Sequence, residues 1–215
     1  MNNIMNERVL VVSPHTDDGE LGCGGTITKF LEMGKDVKLI AFSTAEKSLP
    51  EGVSSDSTRK EMFSACKILG LKENDIQVLD FEVRIFSKFR QEILDSLIEI
   101  RNKFDPQIVM IPSLKDTHQD HEVITKESLR AFKKTSFSIY GYEQPWNCFT
   151  FDTVGFVPLE EKHITTKIKA IQEYKSQLSK DYMKPAFIRG LATTRAINIG
   201  EEFAEAFEVI RQVIT

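Results

Sequence analysis

The chain is short of most features that would mark a secreted, membrane-spanning or nucleic-acid-binding protein. Its three cysteines, Cys23, Cys66 and Cys148, are odd in number, far apart and outside any CxxC spacing. That excludes a disulfide framework and a cysteine-rich zinc site. No apolar run approaches the ~20 residues needed to cross a bilayer, and Met1 to Glu7 is polar, without the apolar region of a signal peptide. Positive charge is not in excess either. Lys+Arg 28 against Asp+Glu 32 leaves a net charge of -4, no footprint for nucleic acid or an anionic membrane. No internal repeat, low-complexity tract or long linker divides the 215 residues. The expectation is a single domain over residues 1–215, cytoplasmic, with a small-molecule partner; homo-oligomerisation is left open.

What the chain does have is strand and helix in alternation. Arg8–Ser13, Val37–Phe42, Ile76–Phe81 and Ile108–Ile111 read as strands. Helical spacing follows each: Leu21–Met33 stopped by Gly34, Ser57–Leu69 stopped by Gly70, Phe86–Phe104, and Glu122–Phe132. This order predicts an α/β fold with a parallel, doubly wound sheet covered by helices. Ala45–Ser57 reads as a polar loop, a candidate lid. Residues 138–158 read as β-like and aromatic, with Trp146 read as core ahead of a substrate platform, although the stretch from Tyr140 to Phe156 could frame the entrance to a site. Beyond them, Ile164, Ile168, Ile171, Tyr174 and Leu178 form one helical face, and Phe203, Phe207, Ile210 and Val213 a second. Residues 181–199 show no pattern.

The chemistry gathers at two strand ends. Only four histidines occur, and three of them, His15, His118 and His121, lie in the loops after the two strongest buried strands. Ligands bind at the carboxyl ends of strands in open α/β sheets. His15 and Asp18, three apart across a tight turn, can reach one ion, and His121 completes a three-ligand set with a position left for water, the pattern of a catalytic zinc. Asp17, adjacent to Asp18 and pointing elsewhere, suits a general base. His118 suits an oxyanion stabiliser or an acid for a leaving amine, with Asp120 holding it in orientation. Each feature also has an ordinary reading. Asp-Asp alone is a solvated turn, and a lone His-x-x-His is usually no ligand pair. Gly22-x-Gly24-Gly25 could be a phosphate-binding turn, although the motif lacks its last glycine and two carboxylates beside it would repel a phosphate. His163 reads as a surface polar residue, Cys23 as small-residue packing, and Glu20 as an acidic residue favoured by the helix N-terminus.

At these residues the chain resembles the PIG-L/LmbE family of zinc-dependent N-acetylglucosaminyl deacetylases, most of all its bacillithiol-type branch. The first family motif, (A/S)-H-P-D-D, appears as Pro14-His15-Thr16-Asp17-Asp18, and the second, H-x-D-H, as His118-Gln119-Asp120-His121. Arg59 with Glu61, Lys167 to Gln177, and Glu205 to Glu208 are weaker echoes. The resemblance implies a Rossmann-like three-layer fold with a mostly parallel sheet. It also implies zinc, or another divalent ion such as Fe2+, on His15, Asp18 and His121. Asp17 would be the base, His118 and Asp120 the other catalytic residues, and Arg59 a sugar contact. The activity implied is removal of an N-acetyl or other small N-acyl group from an amino sugar or glycoconjugate. Larger thiol-conjugate amides, a nucleotide-binding Rossmann protein and a non-catalytic binding module are the alternatives. Thr16 and Gln119 replace family prolines, which removes no catalytic group.

Overall fold

Every residue of β1 (Arg8–His15) after Arg8 is buried, which places this strand at the centre of a sheet covered on both faces. The computed structural model describes residues 7–49 and 56–214. The other strands are β2 (Asp36–Ser43), β3 (Ile76–Val78), β4 (Ile108–Pro112), β5 (Ser138–Tyr142), β6 (Gly155–Leu159) and β7 (Phe203–Arg211). They form one seven-stranded sheet in the order β3-β2-β1-β4-β5-β7-β6. The first five are parallel, and β7 runs antiparallel to both β5 and β6.

Side chains alternate across β1 and divide the core in two. Val9 and Val11 pack with Leu39 and Met110 against helices α1 (Asp18–Glu32), α2 (Ser57–Leu69) and α5 (Glu161–Ile171). Leu10 and Val12 pack with Phe42 and Ile111 against α3 (Arg90–Phe104) and α4 (Gln119–Phe132). The three-layer α/β expectation holds. The chain leaves β1 for β2 on one side, while β4 lies on the other. The carboxyl ends of β1 and β4 therefore frame the crevice where such folds bind ligands. Among the described residues no helix is long and apolar enough to cross a membrane.

The structure corrects two sequence expectations and decides two readings that the sequence leaves open. Residues 203–213 are not helical; most of them form β7. Ala204, Glu205, Ala206 and Glu208 are buried along with Phe203 and Phe207, which a strand packed on both faces allows. The two glutamates imitated a polar helix face because each is buried with partners. Glu205 pairs with Lys167 Nζ at 2.6 Å and accepts from Gly25 N and Thr26 N at 2.9 and 2.7 Å. Glu208 accepts from Leu114 N at 2.8 Å. Second, the glycines at 22–25 make no phosphate turn. They lie inside α1, a Cβ at Gly22 would overlap the buried Tyr142 ring, and Glu205 already occupies the backbone donors. Third, His163 is buried, capping α5 through its Nδ1 and meeting Glu32 Oε2 at 3.0 Å through its Nε2. Fourth, residues 181–199, left unassigned, contain helix α6 (Pro185–Ala196). Within the expected lid, residues 45–57, residues 50–55 lie outside the described residues.

Glu20 also departs from expectation. Its carboxyl is enclosed, with Oε1 2.5 Å from Tyr174 Oη and 3.5 Å from Cys66 Sγ. Burial pushes its pKa up to about 8, so at neutral pH it is largely a protonated hydrogen-bonding group rather than a charge at the helix N-terminus. A carboxyl raised from 4.5 to about 8 contributes stability that is full below 4.5 and is lost as pH climbs through about 8. Glu20→Gln should therefore lose less Tm than the native chain between about pH 5 and pH 9. Parallel Tm–pH curves for the two proteins would show that Glu20 does not titrate in the fold.

Candidate metal centre and catalytic cleft

β1 and β4 each run into a polar loop at the crevice. Ser13 fastens the first loop, its Oγ donating to the His15 carbonyl at 2.6 Å and accepting from Gly19 N at 2.8 Å. Asp18 opens α1 and folds back, so that Oδ2 accepts from His15 N at 2.8 Å. In the second loop His118 caps α4, its Nδ1 accepting from Asp120 N at 3.2 Å, and His121 follows in the first turn.

Three atoms converge. Asp18 Oδ2 lies 3.0 Å from His15 Nδ1 and 3.2 Å from His121 Nε2, and the two nitrogens are 3.3 Å apart. All three side chains are buried. Two imidazole nitrogens and a carboxylate oxygen closing on one point are a donor set for a divalent cation with tetrahedral preference and one open position. The outward nitrogens are held as metal-binding histidines require. His121 Nδ1 faces Asp116 Oδ2 at 2.7 Å, and His15 Nε2 faces Asp120 Oδ2 at 3.1 Å. The sequence pairs Asp120 with His118, but its carboxylate faces His15 instead. It also accepts from the backbone of Arg84 and Phe86 at 2.6 and 3.3 Å. Asp116 carries no signal in the sequence, where it is one polar residue in a loop, and only its burial identifies it.

The electrostatics favour positive charge at this point. Burial alone would lower His121, but Asp18 and Asp116 overcome it and push the imidazole up to about 10. His15 is raised against the same burial penalty by Asp18 and Asp120. Burial would raise Asp18, yet the two histidines hold it well below the usual carboxylate range. His118 behaves differently, although its ring packs at 4.6 Å from that of His121 and a nitrogen of each histidine lies within 4.8 Å of the others. Burial, then the charges of His121 and His15, lower it to about 4. It is thus neutral at pH 7, and since Nδ1 accepts a hydrogen bond, the proton sits on Nε2. Asp17 is half-buried beside the donors. Burial first, and then the Asp18 charge, raise it to about 6 against the pull of Lys180 and His15.

Asp17 and His118 face a cleft of about 380 Å³, bordered farther out by Arg84, Trp146, Lys180 and Tyr182. That is within the range of small-molecule sites. Trp146 does not belong to the core. It is 36% exposed and stacks on Tyr182 at 4.0 Å and 12°. Arg59 does not border this cleft; its guanidinium turns to the Val78 carbonyl at 3.3 Å and to Asp80. Its neighbour Thr58 borders the cleft instead.

Residues 10–132, which hold both loops and every proposed ligand, match the family described as PIG-L, GlcNAc-PI de-N-acetylase. The chain belongs to the PIG-L family. A relative, the uncharacterized deacetylase YaiS of Escherichia coli K12, is 26% identical over 171 residues, 78% of this chain and 90% of that one. The solved N,N'-diacetylchitobiose deacetylase of Pyrococcus horikoshii superposes with a TM-score of 0.79 at 23% identity, over 95% of this PIG-L chain and 84% of that one. The 4-carboxy-2-hydroxymuconate hydratase GalB of Pseudomonas putida superposes at 0.76 with 21% identity, over 97% and 98%. These structural likenesses establish the fold.

Asp116→Asn should keep the fold and weaken metal binding by about 10–100-fold, the usual effect of removing a carboxylate behind a ligating histidine. Competition against a chelator measures it. Native affinity in the variant would mean that Asp116 does not support His121.

Proposed function

We propose that this protein is a divalent-metal-dependent hydrolase that removes an acetyl group from the amide nitrogen of an amino sugar or glycoconjugate, with zinc the ion its donors suit. The observation that carries this is the convergence of His15, Asp18 and His121 beside the half-buried Asp17 carboxylate and the His118 imidazole, all at one cleft. Membership of a de-N-acetylase family and a relative named as a deacetylase support it. A hydratase shares the fold, so the fold alone does not choose the reaction.

A divalent ion on His15, Asp18 and His121 supplies Lewis-acid activation of water and of the amide carbonyl. The remaining work falls to the chain. The ionised Asp17 carboxylate takes a proton from the attacking water. His118 Nε2–H donates to the carbonyl oxygen as negative charge develops there. With a pKa near 4, His118 stores no proton at neutral pH. The proton gained by Asp17 is therefore the one passed to the leaving nitrogen, which makes Asp17 base and acid in turn. The stacked Trp146 and Tyr182 offer an apolar wall for a sugar ring at the mouth.

Zinc-loaded protein should release acetate from at least one member of a panel of N-acetylated amino sugars and their glycosides. No acetate from any of them, with metal bound one per chain, would overturn the reading; release of a larger acyl group alone would move it to another amidase. Asp17→Asn should keep its metal and lose about 10²–10⁴ in kcat. The base must be ionised, so kcat/KM should fall on the acid side. The limb should lie at or below about pH 6, because a cation beside Asp17 lowers its pKa. A limb in the native enzyme that persists unchanged in the residual activity of Asp17→Asn would assign the base elsewhere.

A further inference from the structure

We propose that Gln144, backed by Asn147, is a positioning residue that restricts Asp18 to a single ligating oxygen and couples it to the other loop of the metal centre. The proposal rests on the metal-centre reading above.

Gln144 follows β5 and is completely buried. Its Nε2 donates to Asp18 Oδ1 at 2.8 Å, with the Asp18 carbonyl at 3.4 Å. Its Oε1 accepts from Asn147 Nδ2 at 3.1 Å, which fixes the amide the right way round; reversed, it would set one oxygen against another. Asn147 Nδ2 also lies 3.4 Å from Asp116 Oδ2, the oxygen that faces His121. Asn147 is held by its own carbonyl, which accepts from Thr117 N at 3.1 Å and Thr117 Oγ1 at 2.8 Å. The contacts run from Asp18 through Gln144, Asn147 and Asp116 to His121. They join α1 to α4 without passing through the donor atoms.

The consequence lies in the two oxygens of Asp18. Oδ2 faces both histidines, while Oδ1 is engaged by the Gln144 amide. A carboxylate free to rotate presents both oxygens to a cation and fills the position that a hydrolytic site keeps open for water. An amide donor on Oδ1 opposes that rotation. Trp146 lies between these two residues in sequence, so the segment that borders the cleft also sets the ligand.

Co2+ is the probe, because its visible absorption is strong in four- and five-coordinate sites and weak in six-coordinate ones. In Gln144→Leu and in Gln144→Met the amide donor is gone, with the buried volume largely kept. Each should bind Co2+ with an absorption several-fold weaker and shifted to shorter wavelength, and with an affinity changed by about 10–100-fold. Asn147→Ala, which removes the backing and the contact with Asp116 but leaves the amide donor on Asp18, should move the spectrum the same way by less. It also decides the matter if neither Gln144 variant folds. A merely structural Gln144 would change Tm and leave the spectrum alone. Native spectra and affinities in the folded variants would overturn the proposal while leaving the metal centre intact. If the native chain takes up no Co2+, the metal-centre reading fails, and this proposal with it.

Discussion

Asp18 Oδ2 takes a hydrogen bond from the His15 backbone and lies within 3.2 Å of two imidazole nitrogens in a buried crevice. Asp116 and Asp120 stand behind those imidazoles, both buried, and Asp17 stands beside them. So many carboxylates in one crevice would repel each other strongly unless positive charge sat among them. The carboxylates raise the pKa of His15 and His121, so protons on those imidazoles are one source of it. A divalent cation would take their place and expel them, so metal affinity and pH are coupled at this centre. Much of the surrounding structure serves to hold these groups together despite their mutual repulsion.

The fold does so by bringing two loops from distant parts of the chain to one switch point. β1 and β4 are neighbours, and their register pairs Val9 with Ile108 and Val11 with Met110, which brings His15 and His121 to the same end of the sheet. Behind them α1 must lie close to the sheet, and its glycines permit this: Gly22 abuts Tyr142, and Gly25 abuts Leu159 and Glu205. Tyr142 in turn donates to the Val12 carbonyl at 3.0 Å, which fixes the strand just before the turn that carries His15 and Asp18. The close packing of α1 and the placing of its first residue are one requirement.

How much of this was legible in the sequence follows from the range of each interaction. β1, β4 and the helices after them were readable because burial on both faces leaves an unbroken apolar run, and helix faces repeat locally. The grouping of His15, Asp18 and His121 was readable because both loops follow such strands. What could not be read depends on partners far along the chain. Glu205 and Glu208 make β7 look amphipathic, and their burial makes sense only beside Lys167, α1 and Leu114. His163 looks like a surface residue until Glu32, 131 positions away, is seen against it. Asp120 was given to His118, its near neighbour, whereas its carboxylate reaches back 105 residues to His15. Gln144, 126 residues from Asp18, carried no local signal at all.

Asp17 and Asp18 show how such long-range contacts divide labour between adjacent identical side chains. Asp18 points inward to two imidazoles and is held ionised, well below its ordinary pKa. Asp17, one residue earlier, lies half-buried at the cleft, and burial together with the charge of Asp18 raises it to about 6. The Asp18 charge contributes to the Asp17 shift, whereas Asp18 itself is held down by the two imidazoles. A carboxylate kept permanently charged makes a good ligand, and its repulsion brings its neighbour near the pKa that a proton-transferring group needs at neutral pH. Exchanging their orientations would undo both proposed roles, ligand and base, without altering composition or charge. The turn that Ser13 fastens, with its bonds to the His15 carbonyl and Gly19 N, is therefore as much a determinant of the chemistry as the carboxylates themselves.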